Sequence, residues 1–71
     1  SHAVEAQERA NMLRALFGTL PKNTRKIMWL RTVQESSLDE IAVLTGRPKT
    51  SVKSTLSMAR RMMFDKLKEM E

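Results

Sequence analysis

Cysteine and tyrosine are absent from the 71-residue chain, and its one histidine is His2. Without cysteine, disulfides and thiolate metal sites are excluded. With two glycines, Gly18 and Gly46, no glycine-rich loop can cradle a phosphate. Asp39-Glu40 is the one adjacent acidic pair, and a helix start accounts for it. No set of acids and bases converges on a reaction, so the expectation is no enzyme, no cofactor and no metal. No apolar run approaches the ~20 residues needed to span a membrane. No signal peptide is visible. The chain therefore reads as cytoplasmic, with neither a membrane nor a small-molecule substrate as partner. Strand patterns, internal repeats and low-complexity segments are also missing.

What the chain has is positive charge and helical periodicity. Its net charge is +5 and its pI about 10.3. A basic domain of this size points first to a polyanion, most often nucleic acid. Hydrophobic residues make up 41% and aromatics 4%, which suits a small helical core of Leu, Ile, Val and Met. Ser1-His2 reads as a tag remnant (residues 1–2), and residues 3–71 as one domain. The missing initial Met suggests a piece of a longer protein.

Four helices are expected. The first runs from Ala3 to Phe17, with Ala6, Ala10, Leu13 and Phe17 on one side, Met12 and Leu16 widening it, and Gly18 ending it. The second starts at Leu20-Pro21 and reaches about Val33, burying Ile27, Met28 and Leu30, with Thr24 and Arg31 at the borders. Trp29 reads first as a lid over the first helix, and second as an exposed anchor for a protein partner. Gln34 to Ser36 is a polar connector.

Ser37-Leu38-Asp39-Glu40 then carries a capping-box signature, Ser followed three residues later by Glu. Leu38, Ile41, Ala42 and Thr45 share a face, Gly46 supplies a left-handed cap, and Pro48 suits the next helix start. Ala42, Gly46 and Val52 have the spacing of a helix-turn-helix: a small residue for close crossing, a turn glycine, and an apolar residue closing the corner. The last helix extends to about Met70. At about 100° per residue, Val52, Leu56, Ala59, Met63, Leu67 and Met70 form a stripe. Thr50, Lys53, Ser54, Ser57 and Arg61 fall opposite. No acidic residue occurs between Arg47 and Arg61. Short polar side chains let a helix sit deep in a groove while flanking cations meet phosphates. The competing reading is a merely solvated basic face. Two places fit Phe64: packed on the first helix, or within a partner site.

From Leu20 to Leu67 the chain resembles region four of bacterial sigma-70 family factors, and is most similar to the extracytoplasmic-function group. The likeness rests on Leu20-Pro21, Arg25, Ile27 to Leu30, Glu40-Ile41-Ala42, Gly46, Val52-Lys53-Ser54 and Ala59-Arg60, in register without gaps. The resemblance implies an all-α, four-helix domain of winged-helix-like or sigma region 4 type, without strands, docking its last helix in the major groove of a promoter −35 element. It implies that Lys53, Ser54 and Ser57 face base edges and that Arg60 and Arg61 meet phosphates. Lys49 and the N–H groups near Pro48 to Ser51, that of Thr50 among them, would assist at the helix start. It also implies binding to the β flap of RNA polymerase core, and masking by an anti-sigma factor as in many relatives. A further implication is an Arg25–Glu40 pair across the second and third helices. The capping box competes for the same carboxylate, and the pair is the expected outcome. The chain departs from the family at Glu35, often Gly; Ser36, often apolar; Thr50, often Gly; and Met58, often an Arg or aromatic that contacts DNA. Met offers no donor to a guanine edge.

Two other readings stay open: the DNA-binding domain of a LuxR-like response regulator, and a helical interaction module that never touches DNA. The Leu20-Pro21 start and the Val52-Lys53-Ser54 triplet favour the sigma reading.

Overall fold

The computed structural model describes residues 2–70; of the proposed tag remnant, Ser1 lies outside the described residues. The described chain forms four helices: α1 (His2–Gly18), α2 (Lys22–Thr32), α3 (Leu38–Thr45) and α4 (Lys49–Glu69). No strand occurs among the described residues, so the all-α, four-helix expectation holds. None of these helices is long and apolar enough to cross a membrane.

One core joins the helices. Phe17 and Leu20 meet Ile27, Met28 and Leu30 of α2, Ile41 of α3, and Val52, Leu56 and Ala59 of α4. Ile41, Val52 and Ala59 are wholly buried. The apolar stripe of α4 is thus real through its first three turns. It thins toward the C-terminus, where Met63 and Leu67 are half-buried and Met70 is exposed.

The first helix departs from expectation. Among its described side chains only Leu16 and Phe17, near its C-terminus, are buried, while Ala6 is exposed, Leu13 is 49% exposed and Met12 43%. Periodicity marks a potential apolar face, but burial needs an opposing surface, and the early turns of α1 have none. Phe17 meets Trp29 edge-on, with ring centroids 6.2 Å apart at 67°. Trp29 therefore packs as a lid on the end of α1, yet keeps 47% of its surface exposed. Phe64 is exposed, with the Lys68 Nζ 5.0 Å from its ring centroid.

The junctions are fixed locally. Pro21 and Pro48 both occupy the cap position, one residue before α2 and α4 begin. After α2 the chain turns through Glu35, a non-glycine residue at φ 53°. Arg31 Nη1 donates to the Ser36 carbonyl at 3.0 Å across this turn. After α3, Gly46 adopts φ 67° and ψ 23°. Its N–H donates to the Val43 carbonyl at 3.4 Å, and the Arg47 N–H donates to the Ala42 carbonyl at 3.1 Å. That 6→1 and 5→2 pairing is a Schellman motif, which satisfies the last carbonyls of α3 and redirects the chain.

Candidate nucleic-acid interface

The buried side of α4 dictates what its other side can be. Val52, Thr55, Leu56 and Ala59 face the core. Thr50, Ser57, Arg61 and Ser54 lie opposite them at helical spacing and are all exposed, as are Lys53 and Arg60 on the flank. Lys53, Ser54, Ser57, Met58 and Arg61 line one shallow surface hollow. Arg60 is outside it, rotated toward the Lys53 edge. Ser51 is half-buried. Its side chain thus has less reach than its neighbours, while its N–H belongs to the open first turn of α4.

That first turn carries no side-chain cap and no acidic residue. The free N–H groups and the dipole of a 21-residue helix leave partial positive charge there. Lys49 stands at the same end, but Asp39 at the start of α3 holds it, Nζ to Oδ1 3.2 Å, with both side chains well exposed. The Ser54 hydroxyl donates to the Thr50 carbonyl at 3.1 Å, so its lone pairs face outward as acceptors.

The expected Arg25–Glu40 pair does not form. Glu40 Oε1 accepts from the Ser37 backbone N–H at 3.0 Å, and Ser37 Oγ accepts from the Glu40 N–H at 3.0 Å. The capping box wins because its partners are three residues apart and already aligned by the helix start. The Ser37 backbone N–H, then its hydroxyl, hold the Glu40 carboxyl below the usual range, outweighing desolvation. Arg25 instead donates from Nη2 to the Leu20 carbonyl at 3.1 Å. It ties the start of α2 to the preceding turn rather than to α3.

Three residues gain weight that sequence reasoning had not given them. Asp39, read as a helix-start acid, is the ion-pair partner of Lys49. Lys26 and Arg47 line a second hollow with Asn23, Ile27, Leu44 and Thr45, which places two more cations around the α3–α4 turn. Their signal was only charge, and the fold decides which charges converge.

No curated protein and no solved structure matches the chain at a significant level. The family model for Sigma-70, region 4, matches residues 10–63, from the middle of α1 to the later turns of α4. With helices, turn and family pattern coinciding over most of its length, the chain belongs to the sigma-70 region 4 family.

Proposed function

We propose that this domain recognises a promoter −35 element by placing α4 in the major groove, as part of a bacterial sigma factor of the extracytoplasmic-function group. Domains of the family bind promoter DNA and RNA polymerase; it is a family of transcription domains, not of enzymes. The observation that carries the reading for this chain is the outward side of α4. It is exposed, free of acids from Arg47 to Arg61, and built of short hydroxyl side chains bordered by cations.

In this reading Lys53, Ser54 and Ser57 meet base edges, and Thr50 lies beside them. Lys49, Arg60 and Arg61 neutralise phosphates, and the N–H groups at Thr50 and Ser51 bind a phosphate at the helix start. The β flap of polymerase core and an anti-sigma factor are the proposed protein partners. The exposed apolar side chains of α1, with Trp29 and Phe64, give such partners surface to cover. The family match weighs against the response-regulator reading.

A salt series of gel shifts tests the proposal. Each phosphate contact contributes about 0.9 to the slope of log affinity against log salt. Lys53→Ala and Arg61→Ala should each weaken binding with helicity intact. Where the lost contact is to phosphate, the slope should also shrink by about that amount. Unchanged affinity and slope in both variants would discard this face. An absence of salt-dependent DNA binding would favour the interaction-module reading.

A further inference from the structure

Met58 does not fit the chemistry around it. Ser54, Ser57, Met58 and Arg61 follow the i, i+3, i+4, i+7 spacing of one helix face. Within the hollow that these residues line with Lys53, Met58 alone lacks a hydroxyl or a charge. It is 51% exposed. Met62 and Met63, one turn further on, pack against the core instead. Their place shows where this helix puts a methionine that serves packing. Met58 lies about 40° round the helix from Met62, at the border where the cationic side begins, and lines the hollow rather than the core.

A groove-facing methionine has few partners. Its thioether is no donor and only a weak acceptor. The base edges of the major groove present one apolar group, the C5-methyl of thymine. The neighbouring serines are short, so the Met58 side chain projects furthest among the uncharged members of the hollow. Its three rotatable bonds let it settle on a methyl group without a fixed register.

Resting on the DNA-binding reading above, we infer that Met58 is a specificity-determining residue that reads the C5-methyl group of one thymine in the major groove. The contact selects thymine by apolar burial rather than by hydrogen bonding. Position 58 then favours a T·A pair and gives guanine no reward. A 5-methylcytosine carries the same methyl in the same place and should be partly accepted.

Thymine-to-uracil exchange isolates the claim, because it deletes the methyl and leaves every hydrogen-bonding group in place. Duplexes would be selected from random DNA with the 71-residue chain, then each thymine replaced singly by uracil. For the parent chain, one such exchange should lower affinity about fourfold, the worth of burying one methyl group. Met58→Ala should bind the thymine and uracil duplexes equally, whereas Met58→Leu should keep the preference. Helicity by circular dichroism checks that both variants remain folded, as an exposed position requires. The inference is overturned if the parent chain binds with no methyl-sensitive thymine, or if Met58→Ala keeps the same thymine-over-uracil ratio. The salt series separates the two failures: if no duplex binds in a salt-dependent way, the DNA-binding reading falls and the inference falls with it.

Discussion

Ser37 and Glu40 cap each other at the start of α3, through two reciprocal hydrogen bonds of 3.0 Å. The pair closes the first turn of α3, and α3 in turn packs against α4. Ser37→Ala should cost about 1 kcal/mol. For a domain of this size that lowers Tm by about 4–8 °C. The carboxylate form of Glu40 is the one stabilised, so its pKa lies below the usual 4.5. Its contribution is therefore present above about pH 4.5 and is lost as pH falls through the lowered value. Thermal melts at stepped pH should show a shallower acid loss in Glu40→Gln than in the parent chain. An identical acid profile would remove Glu40 from the account.

Arg25 and Glu40 serve different junctions, one at the start of α2 and the other at the start of α3. Their effects on stability should therefore add. A double-mutant cycle with Arg25→Ala and Glu40→Ala, read by denaturant unfolding, should return no coupling beyond experimental error. A clear coupling would restore the interhelical pair.

Two turn residues sit in left-handed conformations and should respond with opposite sign. Glu35 adopts φ 53° with a side chain attached, which costs about 1–2 kcal/mol relative to the ordinary helical region. Glu35→Gly should raise stability by roughly 0.5–1 kcal/mol, the relief being partly offset by the entropy of glycine. Gly46 adopts φ 67°, and a Cβ there would meet nothing within 4 Å. Gly46→Val should therefore destabilise by conformation alone, by at least about 1–2 kcal/mol. Melting temperatures moving the same way in both variants would contradict the two turn conformations.

Much of this architecture was legible in the sequence because it is written in local terms. The capping box, the turn glycine and the stripe from Val52 to Ala59 each involve residues within two helical turns. Their geometry follows from helix physics alone. The early turns of α1 depart from the expectation for the converse reason. Leu13 and Met12 have the right spacing for a core face, but whether a neighbour covers that face is a property of the fold. The same limit holds at Glu40, where the resemblance implies a long-range pair and the structure forms the local cap. On the α4 face, the alternation of buried and exposed positions placed Thr50, Lys53, Ser54, Ser57 and Arg61 together. The Lys49–Asp39 pair crosses the turn between two helices, and no periodicity announces it.

Asp39 should restrain the DNA-facing end of α4 through Lys49. The pair is exposed on both sides, so its direct worth to stability is at most about 1 kcal/mol. Its effect on binding is different in kind. A phosphate approaching the open first turn of α4 must take Lys49 from a carboxylate that also repels it. Asp39→Asn removes both obstacles, and should tighten binding to duplex DNA by roughly two- to fivefold, the range such a pair can supply. It should lower Tm slightly, because an acid in the first turn of α3 also complements that helix's dipole. The gain should shrink in a Lys49→Ala background, since the released cation is then missing. Equal gains in both backgrounds would show that Asp39 acts by repelling the duplex alone. Weaker binding by Asp39→Asn would place the phosphate elsewhere than at the start of α4.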